Sequence, residues 1–207
     1  MRVALLGGTG RIGSEVLDML LADDHDVQVL ARSAGSVRPA AGLTVIEGDA
    51  LDSASVAALV KGADAVVSAL GPRGAKSPGL LGNAAANTVA AMNESGVRRL
   101  IAVSAAGAFI GADPDIGALT KLILPRVFAK QFADVRRMED VIRASDLEWT
   151  LVRPSRVVGG SATGRYRTRS DFPPQGGKKV SRADVAQFMV DALSQHSWIG
   201  AAPALAY

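Results

Sequence analysis

The sequence contains no cysteine and only two histidines, His25 and His196. A chain without cysteine forms no disulfides, offers no thiolate metal ligands and has no cysteine nucleophile. The two histidines lie far apart and match no known ligand spacing, so we expect no zinc or haem site. The sequence therefore predicts a protein that binds no metal.

Long apolar runs are also absent, although 48% of the 207 residues are hydrophobic. No run approaches the roughly 18 residues of a membrane span, and the opening run, residues 1–8, is too short for a signal peptide. We expect one cytoplasmic domain over residues 1–207 and no membrane partner. The net charge of +3 is modest, so we expect no nucleic-acid partner either.

Strand-like and helix-like patterns alternate along the chain. The predicted strands are Arg2–Leu6, Asp26–Ala31, Leu43–Glu47, Ala65–Leu70, Leu100–Val103 and Trp149–Val152. Helices are predicted between them, including a helical region over 116–144 that Pro125 should kink or split. Ser181-x-x-Asp184, which resembles a capping box, opens the last helix. Strands joined by helices pair in parallel, so the fold class predicted is α/β, a Rossmann-type doubly wound parallel sheet.

The composition changes after Pro154. Between Arg153 and Arg182 there are eight basic residues and one acid, Asp171, together with paired glycines and prolines. We interpret residues 153–182 as a small, loop-rich basic cap on the substrate side of the sheet. Such a cap fits a small-molecule acceptor that is anionic, but a solvated basic edge strand explains the charge equally well.

A glycine-rich turn lies directly between the first predicted strand and the first predicted helix. It includes Gly7, Gly10 and Gly13, spaced as in turns that hold a dinucleotide diphosphate. The first glycine permits the tight turn, the second lets the backbone approach the diphosphate, and the third lets helix and strand pack closely. We also expect a left-handed backbone at Gly10. The N-terminus of the following helix would face the phosphates.

The end of the second strand predicts which dinucleotide is preferred. NAD sites usually have a carboxylate there that binds the ribose hydroxyls. This chain has Arg32 and Ser33 instead. Arg32 is placed to pair with a 2′-phosphate, Ser33 adds a hydroxyl, and Arg11 could approach from the other side. The sequence therefore favours NADP over NAD.

Taken together, these motifs resemble the atypical short-chain dehydrogenases/reductases. More narrowly, the chain resembles the small NAD(P)H-binding group that includes the NmrA-like proteins and the flavin reductase-like biliverdin reductases B. The resemblance covers nearly the whole chain. It depends on residues 7–13, 29–32, 48–51, 69–73, 77–78, 137–138, 149–154 and 180–186.

The resemblance implies a cofactor site at the carboxyl ends of the strands. Asp49 and Ala50 would lie beside the adenine, although Asp49 could equally cap a helix or turn. Arg73 would lie over the pyrophosphate or be solvated. The remaining cofactor contacts implied by the motifs are Thr9, Ile12, Ala69, Leu70, Gly71, Ser104, Ala105 and Pro154.

The tyrosine–lysine pair of standard short-chain dehydrogenases is missing. Only Tyr166 and Tyr207 are present, and both lie outside the long helical region. We therefore expect Ser104, Lys130 and Arg156 to be the remaining candidates for catalytic residues.

These features favour an NADPH-dependent reductase of a flavin, quinone or related conjugated acceptor. The alternatives are a non-enzymatic NADP sensor like the NmrA regulators and an epimerase or dehydratase relative. A monomer and a homodimer are equally compatible with the sequence.

Overall fold

The computed structural model describes residues 1–71 and 79–207. Residues 72–78, among them Arg73 and the Ser77-Pro78 motif, lie outside the described residues. The strands are β1 Arg2–Leu6, β2 Asp26–Ala31, β3 Leu43–Glu47, β4 Ala65–Ser68, β5 Arg99–Val103, β6 Glu148–Pro154, β7 Arg156–Val158, β8 Arg167–Ser170, β9 Lys179–Ser181 and β10 Pro203–Ala206. The helices are α1 Gly13–Ala22, α2 Ser53–Val60, α3 Leu80–Ser95, α4 Ala118–Val127, α5 Ala129–Arg143 and α6 Arg182–Ser194.

The main sheet has the order β3-β2-β1-β4-β5-β6-β10-β8. All neighbours pair in parallel except β8, which runs antiparallel to β10. β1 pairs with both β2 and β4, so the strand order reverses there. In open α/β sheets ligands bind beyond the carboxyl ends of the strands at such a point. The predicted Rossmann-type α/β fold is confirmed.

Apolar side chains pack on both faces of this sheet. Along β1, Val3 and Leu5 pack into one core cluster and Ala4 and Leu6 into the other, because successive strand residues point to opposite faces. Helices α1 and α6 cover the first face, and α2, α3 and α5 cover the second. The result is a helix–sheet–helix sandwich that leaves the strand ends accessible.

The helical region predicted over 116–144 is two helices. α4 and α5 meet at Phe128, whose backbone is not helical (φ −110°, ψ 25°). The break therefore lies three residues after Pro125, the residue that suggested it. None of the helices in the described residues is long and apolar enough to span a bilayer.

The segment 153–182 contains three short strands, and one of them, β8, is the basic edge strand that was the alternative to a loop-rich cap. β7 and β9 form a separate two-stranded parallel sheet, and β8 joins the edge of the main sheet through β10. Besides Arg153, whose contacts are described below, two basic side chains of this segment bind other parts of the structure. Arg167 donates to the carbonyl oxygens of Gln175 and Tyr207, and Arg169 forms an ion pair with Asp115.

Candidate active site

The glycine turn connects β1 directly to α1. Gly7 has φ +80°, and a Cβ built on it would lie 2.7 Å from the carbonyl carbon of Ala69. A Cβ on Gly13 would lie 2.0 Å from the carbonyl oxygen of Gly7. The turn is further closed by a 2.8 Å hydrogen bond from the Gly10 N–H to the Gly7 carbonyl. Steric contact therefore requires glycine at positions 7 and 13. The left-handed residue is Gly7, so our expectation for the Gly10 backbone was wrong.

The N-terminus of α1 is open towards the strand ends. Its N-cap residue, Ile12, makes no side-chain cap hydrogen bond. By contrast, Asp52 caps α2, and Asp134 accepts 3.0 Å hydrogen bonds from the backbone N–H groups of Leu81 and Gly82 in the first turn of α3. The Ser181 hydroxyl caps α6 as predicted. Within residues 1–71 and 79–207, the partial positive charge at the start of α1 therefore remains available to an anion, as a dinucleotide diphosphate requires.

A groove of about 880 Å³ runs from this turn across the ends of β4, β5 and β6. Its volume lies within the roughly 300–1,000 Å³ of ordinary small-molecule sites. Thr9, Gly10, Arg11, Ile12, Ala69, Leu70, Gly71, Leu81, Val103, Ser104, Ala105, Phe128, Gln131, Phe132, Val135, Pro154, Ser155 and Val157 line it.

A second cavity of about 180 Å³ extends the groove over the ends of β2 and β3. The two share Thr9, Leu70 and Gly71, so they form one continuous depression. The lining of this second part is Leu6, Gly7, Thr9, Leu30, Ala31, Arg32, Gly48, Asp49, Ala50, Leu51, Leu70, Gly71 and Leu80.

Most of the residues predicted from the sequence meet in this depression, but four of those that the structure describes do not line it. Gly13 lies behind the turn, where it packs against Gly7. Ser33, Lys130 and Arg156 are exposed and absent from both linings. Whether the lining residues contact a dinucleotide stays a prediction.

Asp49 closes a turn, which is one of the two roles that its sequence position suggested, and its contact with an adenine stays a prediction. Its Oδ1 accepts a 2.9 Å hydrogen bond from the Leu51 N–H, which closes a turn at the end of β3. The same residue lines the smaller cavity. Holding the turn with one oxygen leaves the other carboxylate oxygen as an acceptor.

A buried carboxylate that the sequence analysis missed lies beneath the groove. Glu139 of α5 is 1% exposed. The Nε of Arg153 donates to its Oε1 at 2.8 Å, and the Nη2 of Arg153 donates to its Oε2 at 2.6 Å. Arg143 adds a contact at 3.3 Å. Two guanidiniums compensate the charge, as a buried carboxylate requires.

The fourth donor to Glu139 is the Ser104 hydroxyl, at 2.5 Å from Oε1. A carboxylate held by guanidiniums only accepts hydrogen bonds, so the hydroxyl hydrogen points away from the groove. Ser104 is 9% exposed and follows β5. In this arrangement it is not a proton donor to a ligand. The geometry therefore argues against a proton-donor role for this candidate catalytic residue.

Glu139 also explains why an arginine, Arg153, is buried near the end of β6. The guanidinium of Arg153 is packed over the Phe109 ring at 3.5 Å and donates to the Asp171 carbonyl. This arginine thus joins β6, α5 and the segment after β8. A signal was present in the sequence, because Glu139 interrupts the apolar stripe of Val135, Met138 and Ile142 at helical spacing. A glutamate at such a position has to be paired when it is buried.

Neither tyrosine lies in the groove lining. Tyr166 packs edge-on against Phe188, with ring centroids 6.0 Å apart, and burial with the nearby charges of Asp191 and Asp184 raises its pKa. The Tyr207 hydroxyl donates to Asp184 at 2.5 Å. Among the residues that the structure describes, no group of three His, Asp or Glu side chains is arranged to hold a metal ion.

Comparison with known proteins gives a family and a shared fold. The sequence model of a family described as NAD(P)H-binding matches residues 7–196. The uncharacterized protein YwnB of Bacillus subtilis is 25% identical in an alignment of 206 positions that covers 93% of this chain and 92% of YwnB.

Two solved structures have TM-scores of 0.84. One is a short-chain dehydrogenase/reductase of Veillonella parvula in complex with NADP, at 21% identity, covering 100% of this chain and 94% of that one. The other is the anaerobillin reductase ChuY of Escherichia coli O157:H7, at 23% identity, covering 100% and 97%. At these identities the likeness shows the fold.

Proposed function

This chain belongs to the NAD(P)H-binding family, and on that premise we propose that it is an NADPH-dependent reductase. It transfers a hydride to a flavin, a quinone or a related conjugated acceptor without a tyrosine–lysine pair. The observation that carries this proposal is the largely uncharged lining of the larger groove. Of the described residues that line it, Arg11 alone has an ionisable side chain.

The residues present fit a dinucleotide. The close-packed glycine turn and the uncapped start of α1 suit a diphosphate, and the smaller cavity with Asp49 and Ala50 suits an adenosine. The larger groove at Ala105 and Pro154 suits the nicotinamide end and an acceptor beside it. When bound, a reduced nicotinamide supplies the hydride.

The protein's own contribution is orientation and exclusion of water. Val103, Phe132, Val135 and Pro154 give the groove apolar walls against which a planar acceptor can stack. Holding two reacting groups about 3–3.5 Å apart supplies much of the acceleration of such a transfer. Since the Ser104 hydrogen is directed to Glu139, the proton comes from water.

The preference for NADPH depends on Arg32, which lines the smaller cavity at the end of β2. A charge-assisted contact with a 2′-phosphate contributes roughly 1.5–3 kcal/mol, or on the order of ten- to a hundredfold in affinity. Titration of NADPH and NADH should therefore show tighter NADPH binding that Arg32→Ala largely removes. Arg38→Ala, an equal loss of charge on the same loop, is the control. Equal affinities in the unaltered protein would refute the preference.

The reductase proposal is tested by following NADPH oxidation with FMN, FAD, quinones and linear tetrapyrroles. We expect turnover with at least one planar acceptor. Tight NADPH binding without any turnover would exclude the reductase.

That result would favour the second candidate, a non-enzymatic NADP sensor. One observation supports it: α4 exposes Leu119, Leu122, Ile123 and Val127, which are 50–70% accessible. An exposed apolar surface beside a ligand groove is typical of a protein–protein contact.

A further inference from the structure

A carboxylate from β3 lies over the turn that follows β2. The two strands are parallel, with Ala31 opposite Glu47, and the Gly48 N–H donates to the Ala31 carbonyl at 2.9 Å. The two strand ends are therefore side by side. Glu47 Oε2 accepts a 3.3 Å hydrogen bond from the Ala34 N–H, two residues after Arg32. The negative charge thus lies next to the residue that we assign to a 2′-phosphate.

In dinucleotide sites, the charge at the end of β2 influences whether NAD or NADP is preferred. An acid at the end of β2 accepts hydrogen bonds from the ribose hydroxyls of NAD, whereas a cation there favours the 2′-phosphate of NADP. Here the cation is on β2, and the acid reaches the same turn from β3. Within residues 1–71 and 79–207 Arg32 makes no ion pair, so Glu47 is not neutralised by it.

We propose that Glu47 is a specificity-determining residue that opposes Arg32. Its charge repels a 2′-phosphate and its hydrogen bond occupies the Ala34 N–H, while its second oxygen can accept from a ribose hydroxyl. Selectivity between NADPH and NADH is then set by the pair and not by Arg32 alone. The inference rests on the proposed function only in that a dinucleotide binds with its adenosine ribose at the end of β2.

Glu47→Gln is the informative change, because a glutamine carbonyl still accepts from the Ala34 N–H while the charge is lost. The side chain is exposed, so the fold is retained. Glu94→Gln, an equal change of charge on the exposed end of α3, is the matched control. Dissociation constants for NADPH and NADH are measured by fluorescence titration in both variants and the unaltered protein.

Glu47→Gln should bind NADPH roughly three- to tenfold more tightly, as expected for the removal of one unit charge near a phosphate. NADH binding should be unchanged or weaker. The gain should persist in the Arg32→Ala background, because the carboxylate acts on the phosphate directly. It should shrink as the salt concentration rises, since screening reduces the repulsion.

Two results would overturn the inference. One is a dissociation constant for NADPH that changes no more in Glu47→Gln than in Glu94→Gln. The other is weaker binding of both cofactors, which would make Glu47 a brace for the turn. Protein that binds dinucleotides but reduces no acceptor would overturn the proposed reductase and leave the Glu47 assignment standing. Absence of any dinucleotide binding would overturn both.

Discussion

Replacing Asp184 by asparagine should destabilise the protein through one well-defined network. Asp184 is in the first turn of α6 and is fully buried. Its carboxylate accepts hydrogen bonds from the Tyr207 and Ser181 hydroxyls, and from the backbone N–H groups of Thr163 and Gly164 at 2.8 and 2.9 Å. The carboxylate thereby ties the segment before β8 and the end of β10 to α6. An asparagine side chain would keep the shape but replace one acceptor oxygen by a donor NH₂ group.

The size of the effect follows from the pKa of this carboxyl. Burial raises the pKa of Asp184, but the hydrogen bonds from Tyr207, Gly164 and Thr163 outweigh burial and lower it from 3.8 to about 2. Each pKa unit corresponds to about 1.4 kcal/mol. The folded state therefore favours the charged form by about 2 kcal/mol, and Asp184→Asn should lose a free energy of unfolding of that order at pH 7.

The pH dependence gives the sign of the effect. Because the folded-state pKa is lowered, the stabilisation is fully present above the unfolded pKa near 3.8 and is lost as the pH falls towards 2. Urea unfolding of both proteins should thus show a constant difference at neutral pH that shrinks below pH 4. Asp191→Asn, a half-buried acid on the same helix, is the control. A difference below about 0.5 kcal/mol at pH 7, or one that does not shrink in acid, would refute the reasoning.

Three further predictions concern the groove. Gly10→Val should abolish dinucleotide binding in a protein that circular dichroism shows to be folded. The added side chain would lie in the groove, and a Cβ at this position is already 3.0 Å from the Gly7 carbonyl oxygen. The control, Gly111→Val, should bind dinucleotides normally, because a Cβ there meets nothing within 4 Å. Tyr166→Phe should leave turnover of a flavin or quinone nearly unchanged, and a loss of about a hundredfold would reveal a general acid. Arg156 does not line the groove, but its neighbours Ser155 and Val157 do, so Arg156→Ala should raise the KM for FMN but not for riboflavin, which lacks the phosphate. Equal KM changes would exclude a phosphate contact.

The sequence by itself determined those strands that can be recognised from their own residues. β1, β2, β4, β5 and β6 are short, largely apolar runs, and such runs are typically buried in a parallel sheet. β3 alternates apolar and polar residues and lies at the sheet edge. The glycine turn was equally readable, since Gly7 and Gly13 are required by contacts within the turn and with the adjacent strand. For the same reason most residues predicted for the cofactor site line one depression.

The tertiary structure decided what depends on partners distant in sequence. β8 is a polar segment of four residues that is a strand because it pairs with β10, and β10, equally short, is a strand because it lies between β6 and β8. Glu139 meets Ser104 across 35 residues and Asp134 caps α3 across 52. Glu47 reaches Ala34 only because β2 and β3 end side by side. The spacing of apolar residues along a helix or strand shows which face a residue occupies. Only the packing of the helices and strands decides which donor or charge that residue meets there.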